Sequence, residues 1–230
     1  MPVADPGHDH AARPNRADAR PRPPFKAVAF DLDGTLVDTL PAMEASWNAV
    51  LSPVIGRPIP RDEIVRTLGP HLIEIVRMYD ATDADFLTES LSEHYQAIYL
   101  TASQLYPGVA EVVSDLAARQ CALGVVTSMD TGAVPLLEHF GLLDKFAAIV
   151  TADDVTKLKP DPEPVLMLAE ALQVDPRELL VVGDSHVDMH AARAAGAGRG
   201  AAVWGFPDSG AADDAEWVFE QPSDVLRVCS

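Results

Sequence analysis

Two carboxylates one residue apart, Asp31 and Asp33, close the short apolar run Ala27-Val28-Ala29-Phe30 within the stretch KAVAFDLDGTLVDT. Side chains alternate at a strand end, so this pair points one way while Leu32 points back toward a core. Neighbouring carboxylates repel unless a cation lies between them or one holds a proton, and either arrangement is chemically useful. Three further polar signals follow: Thr127 and Ser128 in VVTSM, Lys159 in KPDPEP, and Asp184 with Asp188 in VVGDSHVD. Hard carboxylate oxygens suit Mg2+, which keeps several waters and needs one or two carboxylates plus a substrate phosphate. A hydroxyl and an ammonium can hold the remaining oxygens of a phosphoryl group. Each signal alone is bland: a D-x-D-G loop, a β-branched strand end, a solvated lysine, an N-capped helix start. In this order, each at a strand end or the loop beyond it, they read as phosphoryl transfer.

The elements that must position these groups follow from patterning. The run 27–30, bounded by Pro23-Pro24 and Gly34, has the profile of a strand buried on both faces of a parallel sheet. Residues 40–106 read as helix throughout. Leu40, Met43, Trp47, Val50 and Leu51 share one face, and a second segment opens after Pro60 with Asp62 and Glu63 in its first turn. A Gly69-Pro70 break precedes HLIEIVRMY, and Phe86, Leu87, Leu91, Tyr95 and Ile98 mark a last helix, so a four-helix insert is expected. From Tyr106-Pro107-Gly108 onward helices alternate with buried strands expected at Ala122–Thr127, Phe146–Thr151, Leu179–Gly183 and Ala201–Trp204, with Glu216–Phe219 as an edge strand. The fold class is therefore α/β, a doubly wound parallel sheet. Its core comprises residues 25–39 and 107–230, a helical domain 40–106 is inserted after the first strand, and residues 1–24 form a disordered tail. In such sheets the functional crevice lies at the carboxyl ends of the strands.

Composition narrows the function classes. Apolar residues at 48% and charged residues at 23% fit a globular chain. A net charge of −18 argues against nucleic-acid binding, which needs a basic face. No apolar run approaches the ~18 residues of a membrane span, and no basic-then-apolar signal segment opens the chain. Cys121 and Cys229 lack metal-ligand spacing, so two free thiols in a reducing cytoplasm are expected. His8 and His10 read as solvated tail, and His139, His186 and His190 as helix surface. Asp153 and Asp154 read as loop residues with a minor chance of orienting Lys159.

FDLDGTLVDT, VVTSM, KPDPEP and VVGDSHVD resemble the four motifs of the haloacid dehalogenase superfamily, and the helical insert resembles its cap domain. The likeness spans about residues 25–226 and is closest to the phosphoglycolate-phosphatase-like members. It implies Asp31 as nucleophile, Asp33 as general acid/base, Thr127 and Ser128 as phosphoryl binders, and Lys159 as the neutralising cation. It further implies Mg2+ held by Asp31, the Asp33 carbonyl and Asp184, with Asp188 anchoring metal waters or Lys159. The substrate it implies is a small phosphorylated metabolite, turned over through a phosphoaspartyl intermediate by a monomer or homodimer. Halide-removing relatives lack an acid at the Asp33 position, and phosphonate-cleaving ones use a cap lysine, absent from residues 40–106. A sugar phosphomutase stays open, as does a receiver-like phosphoaspartate signalling module outside enzymology. The insert carries nine acidic and four basic side chains, and one of Arg66 and His71, the candidate substrate contacts flanking the Gly69-Pro70 break, is expected to touch the leaving group.

Overall fold

The computed structural model describes residues 25–66, 72–79, 83–130, 132–206 and 209–229. The expected tail 1–24, the Gly69-Pro70 break and His71 lie outside them. The strands are β1 (Ala27–Phe30), β2 (Val37–Asp38), β3 (Gln104–Leu105), β4 (Ala122–Val126), β5 (Ala148–Val150), β6 (Leu179–Gly183), β7 (Gly198–Ala202) and β8 (Trp217–Phe219). Six of them form one parallel sheet in the order β5-β4-β1-β6-β7-β8. The chain winds outward from β1 through β4 to β5, then crosses back to β6 and winds the other way. The order therefore reverses between β1 and β6, which is where an open α/β sheet leaves a crevice.

β1 shows why the sheet is covered on both faces. Its four residues are buried in alternation: Val28 and Phe30 join a cluster with Leu123, Val125, Leu180, Val182, Val112 and Leu136. Ala27 and Ala29 face the other way, against Leu168, Ala191 and Ala192. The first face is covered by α6 (Val109–Ala118) and α7 (Ala133–His139), and the second by α8 (Glu163–Ala171) and α9 (His186–Ala195). Small residues on the second face let the helices approach closely, and aliphatic and aromatic ones fill the first. A last short helix, α10 (Ala211–Asp214), packs beside β7 and α9.

Between β2 and β3 the chain runs through α1 (Leu40–Val50), α2 (Ser52–Ile55), α3 (Arg61–Arg66), α4 (Leu72–Tyr79) and α5 (Ala84–Ala102). These helices bury a cluster of their own, including Leu40, Trp47, Leu51, Ile64, Ile75, Leu87 and Leu91. Asn48 pins the crossing from α2 to α3 by bonding both ways with the Ile59 backbone, at 2.9 and 2.8 Å. The insert expected at 40–106 is not helix throughout, because its end forms β3, which pairs antiparallel with β2 just ahead of it, Val37 with Leu105 and Asp38 with Gln104. The two chain crossings thus lie side by side. Among the described residues no helix is long and apolar enough to cross a membrane.

Two further expectations need correction. The strand expected at Ala201–Trp204 begins earlier, at Gly198. A side chain on Gly198 would meet the Phe25 ring at 2.5 Å, and one on Gly200 the Phe219 ring at 2.6 Å, so glycine sits in this strand to seat neighbouring aromatics. The cysteines are not free: Cys121 and Cys229 form a disulfide, both buried, with Cα atoms 6.5 Å apart. Cys121 lies just before β4, and Cys229 bridges to Phe25 beside β1, so the fold brings together residues 108 positions apart. The ground for expecting a reducing compartment is thereby removed.

Candidate active site

The turn after β1 builds the first wall of the crevice. The Asp31 amide continues the strand ladder by donating to the Val182 carbonyl at 2.8 Å, which fixes its side chain at the β1–β6 junction. Gly34 follows with φ +80°, open to glycine at little cost, and a Cβ there would lie 2.6 Å from the Asp184 carboxylate. This close approach lets the β1 turn and the end of β6 share one pocket. Thr35, fully buried, directs its hydroxyl toward Asp184 Oδ1 at 3.4 Å.

Lys159 comes from the loop before α8, and that loop is held by its own polar contacts. The Glu163 carboxylate accepts from the Thr156 and Lys157 amides at 2.8 and 3.1 Å, and Asp161 accepts from the Glu163 amide at 3.0 Å. The Lys159 ammonium is then buried with all three donors committed. It reaches Asp31 Oδ1 at 2.7 Å, Asp188 Oδ1 at 2.6 Å and the Val126 carbonyl at 3.1 Å. Burial alone would lower its pKa, but Asp188 and Asp31 outweigh it and carry the ammonium above its ordinary value.

Asp188 divides its two oxygens between tasks. Oδ2 caps α9, accepting from the Ser185 hydroxyl at 2.5 Å and the Ser185 amide at 3.2 Å, while Oδ1 holds Lys159. The helix start and the lysine position are therefore set by one side chain. Asp184 lies one residue before that cap and is buried.

The carboxylate oxygens of Asp31, Asp184 and Asp188 fall within 4.8 Å of one another. One ammonium cannot neutralise three buried carboxylates. Burial, opposed by Lys159 and reinforced by Asp188 and Asp33, pushes Asp31 up to about 7. Burial and the charges of Asp31 and Asp188 push Asp184 well above its ordinary value, and Asp184 makes no ion pair with a described residue. A pocket with this imbalance takes up protons or a cation, and its all-oxygen donors suit a hard divalent ion.

Asp33 stands apart from this triad. Its side chain is half-buried and accepts from the Thr39 hydroxyl at 2.6 Å, and burial raises its pKa against that bond. Thr127 is buried at the end of β4, where its hydroxyl accepts from the Met129 amide at 3.0 Å, and Ser128 beside it is exposed. Asp31, Lys159, Asp184 and Asp188 are thus in mutual contact or reach, with Asp33 on the adjoining turn. Arg66 is not among them: at the end of α3 it is exposed and pairs with Asp62 at 2.9 Å. Asp154 closes a capping box with Thr151 rather than orienting Lys159. His186 and His190 are exposed, the latter beside Asp214.

Several site neighbours carried no readable signal. Thr35 and Thr39 sit in the GTLVDT run but declare no partner there. Trp204, Phe206 and Ser209 follow β7 and fold over the β1 turn. The Trp204 indole donates to the Thr35 carbonyl at 2.9 Å, Ser209 bonds the Asp184 carbonyl, and Phe206 packs on the insert's cluster.

Residues 28–202 match the family model described as haloacid dehalogenase-like hydrolase. A phosphoglycolate phosphatase of Nitrosospira multiformis is 34% identical over 75% of this chain and 81% of its own length. The pyrophosphatase PpaX of Oceanobacillus iheyensis is 30% identical over 89% of this chain and 96% of its own. Among solved structures, a Haemophilus somnus protein described as a predicted phosphoglycolate phosphatase superposes with a TM-score of 0.81 at 28% identity, covering 89% of this chain and 97% of that one. A Thermotoga maritima protein provisionally named beta-phosphoglucomutase superposes with a TM-score of 0.73 at 27% identity, covering 88% and 97%.

Proposed function

The chain belongs to the haloacid dehalogenase-like hydrolase family, and from that premise we propose that it is a Mg2+-dependent phosphatase acting on a small phosphorylated metabolite through Asp31. The observation that carries this reading is the Lys159 ammonium shared between Asp31 and Asp188, with Asp184 alongside and lacking a described ion pair. Asp31, Asp184 and the Asp33 carbonyl would hold the metal, which as a Lewis acid draws charge from the phosphoryl oxygens and favours the ionised form of Asp31.

In the first step an Asp31 oxygen attacks phosphorus in line, forming an acyl phosphate while the ester P–O bond breaks. Lys159 lowers the repulsion between the attacking carboxylate and the phosphoryl group, and Asp188 keeps the ammonium in place. Thr127 and the Ser128 amide bind the equatorial oxygens. Asp33 gives a proton to the leaving oxygen, then takes one from the water that cleaves the acyl phosphate. Inorganic phosphate leaves and Asp31 is regenerated. The helices between β2 and β3 act in this reading as a cap domain that selects the leaving group, with Arg66 and His71 as contacts for it.

The names of the phosphatase relatives support a phosphoglycolate-like monoester. A phosphomutase is the second reading, favoured by the Thermotoga maritima neighbour. A panel of phosphorylated metabolites, including 2-phosphoglycolate and hexose 1-phosphates, separates these by phosphate release against isomerisation. Phosphate release should stop in excess EDTA and resume with Mg2+. Full turnover in EDTA would remove the metal from the account, and a long-lived phosphoprotein without turnover would favour a signalling module.

A further inference from the structure

The loop leaving β4 carries a carboxylate that the reaction above does not use. Asp130 lies three residues beyond Thr127 and is exposed. Its Oδ1 accepts from the Gly132 amide at 3.0 Å, and its backbone carbonyl accepts from the Ala133 amide at 3.1 Å. The side chain is thereby fixed where the loop turns into α7, and among the described residues its second oxygen has no hydrogen bond or ion pair. The helical insert meets this loop through α5. A Cβ on Gly132 would lie 3.3 Å from Asp130 Oδ1, 3.6 Å from Met129 Sδ and 3.7 Å from Tyr99 Cε2, so these three side chains border one small space. Met129 ties that space to the phosphoryl binder, its amide donating to Thr127 Oγ1 at 3.0 Å. Tyr99 and Met129 both pack on the core cluster, and Tyr95 stacks on Tyr99 with ring centres 5.8 Å apart.

The chemistry of these walls is one-sided. An ionised carboxylate oxygen only accepts hydrogen bonds, and the face of a tyrosine ring attracts cations and repels anions. Burial, then the Asp130 charge, push the Tyr99 phenol above its ordinary pKa, so it stays neutral and adds no charge of its own. Cations that could offset Asp130 are spent elsewhere. Lys159 has all three donors committed to Asp31, Asp188 and Val126. Arg57, Arg61 and Arg66 of the insert pair with Glu63, Asp38 and Asp62. Arg77 is without such a partner among the described residues, and it lies on α4 rather than on α5, whose side chain meets this loop. A carboxylate entering here would meet a like charge with no matched cation, whereas a hydroxyl or ammonium would find an open acceptor beside an aromatic face.

We propose that Asp130 and Tyr99 select the leaving group, favouring one that bears hydrogen-bond donors, a hydroxyl or an ammonium, over one that bears a carboxylate. A leaving group reaching from a phosphoryl group at Thr127 toward the insert passes between them. The proposal rests on the phosphatase reading above and narrows its substrate class away from the phosphoglycolate of the relatives' names.

The test compares kcat/KM, with Mg2+, for three small monoesters that differ at the far end of the leaving group: O-phosphoethanolamine, glycerol 1-phosphate and 2-phosphoglycolate. In the unaltered protein the better of the first two should exceed 2-phosphoglycolate by about 10-fold or more, the worth of one hydrogen bond to a charged group. Asp130→Asn keeps the acceptor that holds the Gly132 amide and removes the charge, so it should lower that ratio by about 10-fold. Reading ratios within one protein cancels any loss of folded enzyme. A ratio that falls most for O-phosphoethanolamine identifies an ammonium, and one that falls alike for both identifies a hydroxyl. A preference for 2-phosphoglycolate, no preference among the three, or a ratio that Asp130→Asn leaves unchanged would overturn the proposal while turnover of para-nitrophenyl phosphate left the phosphatase reading standing. No turnover of para-nitrophenyl phosphate by the unaltered protein would overturn that reading, and this proposal with it.

Discussion

Replacing Lys159 with Met removes the ammonium but keeps an unbranched apolar stem in its channel. The Lys159 side chain is 5% exposed, and its ammonium makes two charge-assisted bonds, to Asp31 and Asp188. Breaking a buried pair from one side costs about 3–5 kcal/mol when the orphaned charge stays ionised. Here the orphans can take up protons, which makes the cost depend on pH. Asp31 has a folded pKa raised from 3.8 to about 7 even with Lys159 present. A raised acid binds more protons folded than unfolded, so its contribution to stability falls as pH rises from about 4 to the folded pKa, by about 1.4 kcal/mol per unit. Without Lys159 the Asp31 pKa rises further and this window extends upward. At pH 5.5, in EDTA, Asp31 is protonated in both proteins, and the variant loses chiefly the Asp188 bond, about 1.5–3 kcal/mol. At pH 8 the loss should reach about 3–5 kcal/mol, a shift of roughly 1–2 M in the urea midpoint. Urea titrations of both proteins at the two pH values make the comparison. A loss equal at both, or larger at pH 5.5, would refute the electrostatic reasoning.

Two further outcomes follow from the same features. At the proposed site Mg2+ would compete with the protons that burial and crowding favour on Asp31 and Asp184, so its thermal stabilisation should be larger at pH 8 than at pH 5.5; a shift independent of pH in a differential scanning experiment would contradict this. Reducing the Cys121–Cys229 disulfide, or replacing both cysteines with serine, frees a separation of 108 residues in the unfolded chain and should cost about 2–4 kcal/mol. That lowers the melting temperature by about 5–15 °C, and an unchanged melting curve would show that the crosslink does not constrain the unfolded chain as argued.

How much could be read in advance depended on the range of the interaction. The AVAF run carries its own evidence of double-sided burial, and the alternation of Asp31, Leu32 and Asp33 follows from strand geometry alone. Likewise Ser185 and Asp188 spell a capping box whose spacing is local, and α9 starts at His186 just after the cap. β2 and β3 escaped because two residues are too few to show a period. The first half of β7 escaped because its glycines, which disfavour a strand on propensity, are required by Phe25 and Phe219 from elsewhere. The disulfide, the Thr39–Asp33 bond and the roof of Trp204, Phe206 and Ser209 depend on tertiary proximity, and a single sequence does not carry it. The expectation for Arg66 rests on its place beside a chain break, and in the structure its exposed side chain pairs with Asp62 one turn earlier in α3.

The central claim is that phosphorus passes through Asp31 while Asp33 only moves protons. Rapid acid quench of the Mg2+-loaded Asp33→Asn protein turning over para-nitrophenyl phosphate, followed by peptide mass mapping, tests it directly. Loss of the proton shuttle slows hydrolysis of the acyl phosphate by ~10²–10⁴-fold, so an added phosphoryl mass should accumulate on the peptide containing Asp31 and be absent from the Asp31→Asn protein. A label on Asp33 in the Asp31→Asn protein, or steady turnover by that protein, would contradict the account.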